Sequence, residues 1–147
     1  VDRPLKFSFK NKKSLAQVIG REWVALADPD HVPAGIYAMA ALRKLGHWQD
    51  VKARIARTAN VRGALALVVR GEARAGIVYK SDVLGEPRVL VAATFPTHSH
   101  PKIRYVALDL ATTKASSLYM DFLTSETATG ILSEYGFSLL DESLKIK

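Results

Sequence analysis

Cysteine is absent from this 147-residue sequence, and several other signals of function are absent with it. Without cysteine the chain has no disulfide bond, no thiolate nucleophile and no cysteine-ligated metal. Cysteine content therefore does not indicate whether its compartment is oxidising or reducing. No apolar run approaches the roughly 20 residues that a membrane-spanning helix requires. The nucleophile-elbow pattern Gly-x-Ser-x-Gly is missing as well, and nothing else in the sequence predicts an enzyme.

The N-terminus lacks two familiar features. It reads Val1-Asp2-Arg3-Pro4, with neither an initiator methionine nor an apolar signal region. We therefore interpret it as a processed end or as the start of a fragment. On that interpretation, a missing signal peptide says nothing against export.

The composition is that of an ordinary globular protein, with 48% apolar and 24% charged residues, and the length suffices for one core or about one and a half domains. The net charge of +7 is uneven, because residues 1–74 carry 14 Lys and Arg against 6 Asp and Glu. No basic helix stripe or aromatic stacking platform accompanies this charge, so we expect no nucleic-acid partner. A solvated basic face is the plain interpretation, and steering of an anionic solute is the alternative.

Short apolar runs alternate with helical patterns along most of the chain. We predict strands over residues 23–27, 54–57, 75–79, 89–95 and 105–110. One helix is predicted from Ala34 to a stop at Gly46, and another from Val61 to Gly71, capped by Asn60. Strands that alternate with helices indicate a parallel-rich sheet with helices on both faces.

Two more helices are predicted near the C-terminal end of the sequence. Both have apolar residues at the spacing of one helix face. These residues are Ala115, Leu118, Tyr119, Phe122 and Leu123 in the first helix, and Ala128, Ile131, Leu132 and Tyr135 in the second.

Two of the predicted helices begin directly after a strand, at Ala34 and at Val61. The first N–H groups of a helix have no partner within the helix, and the helix dipole is positive there, so such ends bind oxyanions without a charged side chain. This signal alone is weak, because every α/β protein has helix starts above its strands.

The stretches that contain these helix starts resemble the molybdate-binding proteins of bacterial ABC transporters. The resemblance lies in residues 28–38, 60–68 and 76–79 with Ser81-Asp82, in that order. Further similarity appears at 93–96 with Ser99-His100, and at Tyr135-Gly136-Phe137. It covers roughly Trp23 to Leu139 and implies a type II periplasmic-binding fold, in the periplasm.

The resemblance also implies a site. Carried over, the backbone N–H of Ala34, the backbone N–H of Val61 and the hydroxyl of Tyr79 hold the oxyanion by neutral hydrogen bonds. Molybdate or tungstate is then the ligand, and neither a cofactor nor a direct metal ligand is required, because the metal arrives as an oxyanion. For Tyr79, the alternative is a strand aromatic packed in the core.

The family uses two more donors, both serines from its N-terminal region. This sequence begins after that region, and none of Ser8, Ser14 or Ser81 lies where those serines would be. We expect residues 1–104 to form a nearly complete α/β lobe with the anion-site loops. Residues 105–147 are expected to return to the other, incomplete lobe, and the apolar helices of 105–140 to favour a homodimer.

The resemblance implies delivery of the oxyanion to the membrane permease of an ABC transporter, with no nucleic acid involved. The alternative function is a ligand-sensing domain of a transcription regulator, because the same fold serves as an effector module. Among the remaining polar residues, we interpret His98 and His100 as loop residues rather than metal ligands. Asp28 and Asp30 flank Pro29 and are interpreted as turn formers rather than as an acid–base pair.

Overall fold

The structure is a computed structural model that describes residue 5, residues 7–9 and residues 15–138. Within these residues lie helices α1 (Leu15–Ile19), α2 (Pro33–Lys44), α3 (Trp48–Val51), α4 (Val61–Val69), α5 (Lys80–Val83), α6 (Lys114–Leu123) and α7 (Glu126–Glu134). The strands are β1 (Val24–Ala27), β2 (Ile55–Thr58) and β3 (Ala75–Ile77), with 3-10 turns at Lys52–Arg54 and Thr97–Ser99. The chain divides into two compact units, 1–103 and 104–147, which we call the first and second units.

The three strands form one parallel sheet in the order β2-β1-β3. Val24 at the start of β1 lies opposite Ile55 of β2 and Ala75 of β3. All four residues of β1 are buried, which explains why this strand is a continuous apolar run rather than an alternating one. Since the strands are parallel, their carboxyl ends meet at one edge of the sheet.

Helices cover both faces of this sheet. Successive side chains of β1 point to opposite sides, so neighbouring residues of the strand pack against different helices. Val24 packs in one cluster with Leu42 of α2, together with Leu15, Ile19 and Val51. Ala25 packs in a second cluster with Ala64 of α4 and with Ala73. The small residues of the second cluster allow α4 to lie close to the sheet.

Glycine permits the closest approach of α2 to β1. A Cβ atom at Gly35 would lie 2.5 Å from the carbonyl oxygen of Asp28 and would also overlap the carbonyl of Ala27. The N-terminal turn of α2 therefore rests directly on the end of β1. This contact fixes where the first helix start lies relative to the sheet.

Most of the predicted first-unit elements are confirmed. The structure places strands within the predicted ranges 23–27 and 75–79, and β2 extends one residue beyond the predicted 54–57. The helices predicted from Ala34 and from Val61 are α2 and α4, and both helices predicted in the second unit are present as α6 and α7. Helix α1 was not predicted from the sequence.

Two predicted strands are wrong, at residues 89–95 and 105–110. Neither range forms a strand in the structure, and no strand among the described residues pairs with them. Leu90 is 76% exposed and Leu110 is 89% exposed. An apolar run becomes a strand only where a neighbouring strand supplies hydrogen-bond partners, and these two runs have no such neighbour in the described part of the chain.

The boundary between the two units falls between Ile103 and Arg104. The assignment of residues 1–104 and 105–147 to two lobes of a binding protein stays a prediction. Val1-Asp2-Arg3-Pro4 and Ser14, named in the sequence analysis, lie outside the described residues. None of the helices in the described part of the chain combines the length and apolar character that a membrane crossing requires.

Candidate anion-binding site

The three predicted donors follow the three strands of the sheet. Ala34 lies in the first turn of α2 after β1, Val61 begins α4 after β2, and Tyr79 follows β3. Since β2, β1 and β3 are adjacent and parallel, all three positions lie beyond the same edge of the sheet. Ligands of open α/β sheets bind at this carboxyl edge.

The start of α2 leaves backbone donors without helix partners. Its N-cap, Val32, is extended (φ −103°, ψ 127°) and its side chain makes no capping hydrogen bond. Pro33 has no N–H, and the first backbone bond of the helix runs from the N–H of Ile36 to the carbonyl of Val32, at 2.9 Å. The N–H of Ala34 precedes that bond, so the helix itself offers it no acceptor.

The start of α4 is capped, but at a later position. The Asn60 side-chain oxygen accepts a hydrogen bond from the N–H of Gly63 at 2.8 Å. The N–H of Val61 lies ahead of this capped group and is again outside the helix ladder. Both helices therefore begin with N–H groups that no helix carbonyl accepts. In α4 the Asn60 cap also fixes the position of the first turn.

Hydrogen bonds between the strand ends tie the two helix starts together. The N–H of Asp28 donates to the carbonyl of Thr58 at 2.9 Å, which joins the residue after β1 to the last residue of β2. The Thr58 hydroxyl lies 2.8 Å from the carbonyl of Asn60 and 3.3 Å from the carbonyl of Leu26. One side chain thus links the N-cap of α4 to β1.

Tyr79 lies at a cavity of about 640 Å³ in the first unit, and Ala34 lines the same cavity. Val61 is not among the residues that line it. The N–H of Tyr79 donates to Asp82 at 2.9 Å, and the N–H of Asp82 donates to the Tyr79 carbonyl at 3.1 Å, which fixes the turn into α5. The structure therefore brings Ala34 and Tyr79 to one cavity, and Val61 to the same sheet edge outside it.

Two carboxylates and a guanidinium stand beside the first helix start. The N–H of Asp30 donates to Asp28 at 2.8 Å, so the predicted turn at these residues is confirmed. This hydrogen bond is the largest cause that lowers the pKa of Asp28, and the charge of the nearby Arg57 lowers it further. Burial acts in the opposite direction and raises it. The hydrogen bond to Asp30 raises the pKa of Arg57 above its usual range.

Sequence reasoning missed Arg57, Thr58 and Gly35, which organise this edge. Arg57 Nη1 contacts Asp30 Oδ2 at 2.5 Å across 27 sequence positions, and only the strand register brings the two loops together. No spacing rule reveals such a pair. Gly35 carried a signal that was available, since glycine in the first turn of a helix indicates close backbone approach.

The histidines do not group with other potential metal ligands in the described part of the chain. Within residues 15–138, no group of three or more His, Asp or Glu side chains is placed to hold a metal ion. His100 Nδ1 lies 2.8 Å from the carbonyl of Pro101, and its ring stands 6.5 Å from that of Tyr37. His100 is therefore a loop residue, and it also lines the cavity that contains Ala34 and Tyr79.

Comparison with known proteins identifies the family. The sequence profile of the bacterial extracellular solute-binding proteins matches residues 4–138. The chain therefore belongs to this family, which consists of solute-binding proteins rather than enzymes.

Two relatives are named molybdate-binding protein ModA. The one from Escherichia coli (strain K12) is 44% identical over 138 residues, which span 90% of this chain and 52% of that protein. The one from Haemophilus influenzae is 45% identical over 118 residues, or 79% of this chain and 46% of that protein. The chain thus spans about half the length of these relatives. They give no support to the regulator alternative.

A solved structure confirms the fold. The periplasmic molybdate-binding protein of Azotobacter vinelandii superposes with a TM-score of 0.71 at 19% identity, over 88% of this chain and 60% of that one. The predicted α/β architecture, as part of a type II binding-protein fold, is confirmed by this likeness. At such low identity the superposition shows the fold alone.

Proposed function

We propose that this chain is part of a periplasmic solute-binding protein that captures molybdate or tungstate and delivers it to the permease of an ABC transporter. One observation carries the proposal: three adjacent parallel strands deliver Ala34, Val61 and Tyr79 to one edge of the sheet. The names of the two relatives from Escherichia coli and Haemophilus influenzae support molybdate as the ligand.

The proposed donors are all neutral. Two are backbone N–H groups on helix starts and the third is a phenol hydroxyl, and an oxyanion with four oxygens accepts hydrogen bonds from such groups without a counter-charge. The residues at 34 and 61 act through the backbone, so their side chains need only leave room. Closure of the other lobe of the full-length protein would add donors and exclude water.

We expect the spacing of these fixed donors to provide the selectivity. Molybdate and tungstate have longer metal–oxygen bonds than the sulfur–oxygen bonds of sulfate, and fixed neutral donors discriminate by the size of the anion they enclose. Calorimetric titration of this chain should show molybdate and tungstate bound more tightly than sulfate. Equal affinity for sulfate would contradict the proposal.

Tyr79→Phe tests the site directly. A hydrogen bond to a charged partner contributes about 1.5–3 kcal/mol, so loss of the hydroxyl should weaken molybdate binding roughly tenfold to a hundredfold. The melting temperature should change little.

Tyr105→Phe is the matched control, because Tyr105 is an exposed residue of the second unit and lies outside α6 and α7. It should leave the affinity unchanged. If Tyr79→Phe instead lowers the melting temperature sharply and leaves molybdate affinity as it was, Tyr79 is a core aromatic and the site is wrongly assigned.

We further propose that the apolar faces of α6 and α7 pair with a second copy of the chain. Their large side chains are exposed in the second unit: Leu118, Tyr119, Phe122, Ile131, Leu132 and Tyr135. Burial of each is worth about 1.5–3 kcal/mol, which favours association. Light scattering after size exclusion should show a dimer that Phe122→Glu dissociates. A monodisperse monomer with protected amides throughout α6 and α7 would exclude this pairing.

A further inference from the structure

The loop between β1 and α2 carries two negative charges next to the proposed anion site. Asp28 follows the last residue of β1, and Asp30 lies two residues further on, before the start of α2. A carboxylate near a helix N-terminus is attracted by the same dipole that attracts a bound oxyanion. The two carboxylates would therefore compete with a dianion for that positive end and repel it.

Arg57 offsets part of this negative charge. Arg57 Nη1 lies 2.5 Å from Asp30 Oδ2 and 3.6 Å from Asp28 Oδ2. The guanidinium extends from β2, the strand that leads to Val61 and the start of α4. With Arg57 the three side chains sum to one negative charge, and without it they sum to two.

The same contact holds the loop in place. The carbonyl of Asp28 accepts a hydrogen bond from the N–H of Val32 at 2.9 Å, and Val32 is the N-cap of α2. Arg57 thus connects β2 to the loop whose end sets the direction of the first amides of α2. Because its contacts are with carboxylates, the guanidinium is directed to the loop rather than to an anion.

We infer that Arg57 is a positioning and charge-balancing residue of the anion site, which acts through Asp28 and Asp30 and does not contact the anion. The inference rests on the proposed function for its effect on affinity, and on the described contacts for its effect on the loop. It also explains how a site with neutral donors tolerates two carboxylates beside it.

The test compares Arg57→Gln with Arg57→Lys and with a matched control, Arg70→Gln. Arg70 pairs with a single carboxylate, Glu72, at 2.5 Å, whereas Arg57 pairs with two, and Arg70 lies at the C-terminal end of α4, away from Val61. Both glutamine variants remove one positive charge. Only the change at position 57 should weaken molybdate binding, by about twofold to fivefold in low salt.

Two further readouts separate this role from a purely structural one. The loss of molybdate affinity in Arg57→Gln should become smaller as salt is added, because salt screens a Coulomb repulsion. Salt would not correct a misfolded loop. Adding Asp30→Asn to Arg57→Gln should restore affinity, since one of the unbalanced carboxylates is then gone. Arg57→Lys should bind almost as well as the parent chain.

The inference is overturned if Arg57→Gln and Arg70→Gln bind molybdate equally, or if Asp30→Asn gives no rescue. If the parent chain binds no molybdate at all, the proposed function fails for this chain and the loop contact is judged separately. In that case, hydrogen exchange at the amides of Val32 and Ile36 decides: faster exchange in Arg57→Gln than in Arg70→Gln supports the positioning role, and equal exchange refutes it.

Discussion

Helix α2 in the first unit and helix α6 in the second have similar lengths, 12 and 10 residues, and both are amphipathic. Five residues of α2 are buried, and none of α6 is. The difference lies in what each helix packs against. Helix α2 lies on β1 and its neighbours, whereas the apolar side chains Leu118, Tyr119 and Phe122 of α6 remain exposed.

The exposed helices α6 and α7 have side-chain N-caps, whereas the buried helix α2 has none. The Thr113 hydroxyl accepts from the N–H of Ser116 at 3.1 Å, and the Ser125 hydroxyl caps α7 in the same way. Helix α2 has no side-chain cap. Local signals thus suffice to start a helix that buries little, and packing on a sheet stabilises a helix whose first amides stay available to a ligand.

The largest effect is expected from shortening a leucine in each unit. Leu42 of α2 is fully buried, so Leu42→Ala should lower the free energy of unfolding by about 2–5 kcal/mol. Leu118 of α6 is 60% exposed, and Leu118→Ala should change it by less than about 0.5 kcal/mol in the monomer. Urea unfolding of both variants checks this. Equal losses would mean that Leu118 is buried in solution.

Two helical glycines provide the next comparison. At Gly35 a Cβ would press on the backbone at the end of β1, so Gly35→Ala should destabilise the first unit by about 1–3 kcal/mol. At Gly130 of α7 a Cβ meets nothing within 4 Å, so Gly130→Ala should stabilise α7 by about 0.5–1 kcal/mol. Thermal unfolding and helix content by circular dichroism measure the two changes. Opposite signs are the expected result, and a stabilising Gly35→Ala would contradict the described contact.

The smallest effect concerns two carboxyls, one in each unit. Hydrogen bonds from the Ser116 hydroxyl and from the Thr112 and Ala111 amides lower the pKa of Asp109 below its ordinary 3.8. For Asp28 the Asp30 amide and the charge of Arg57 lower the pKa from the same value. Each carboxyl therefore contributes stability above about pH 3.8, and this contribution is lost as the pH falls through the lowered pKa.

Salt separates the two cases. Because a charge contributes at Asp28, added salt should raise its titration midpoint, whereas the midpoint of Asp109 should stay in place. Carboxyl carbon shifts followed by NMR at two ionic strengths provide the measurement. Arg57→Gln should raise the midpoint of Asp28 alone, and a shift of both midpoints would argue against this assignment of causes.

Caps and apolar spacing in the sequence were enough to predict several helices. Helix α4 was predicted from Asn60 and the apolar positions that follow it, and α6 and α7 from their spacing. The strands predicted at 89–95 and 105–110 failed because strand formation depends on a partner far away in the sequence. Short helix α1, with Leu15 and Ile19 buried, depends on the same distant core and was missed.

The candidate site also has a part that local patterns predict and a part that depends on strand pairing. Helix starts after strands could be predicted at Ala34 and Val61, since a cap, a proline and an apolar pattern mark them in the sequence. That they share an edge follows only from the order β2-β1-β3, and the contact of Arg57 with Asp30 follows from the register Leu26 to Arg57. Pairings of this kind have no local signature.

The two outer strands of the sheet differ in how they discourage other chains. In the described residues β2 and β3 each have one side without a neighbouring strand. Strand β2 carries the charged Arg57, and a charge on an outer strand opposes pairing between molecules. Strand β3 reads Ala-Gly-Ile, with no charge, and its three-residue length limits such pairing. Between these two strands, pairing with another molecule is therefore expected along β3, and substitutions that oppose it belong there rather than on β2.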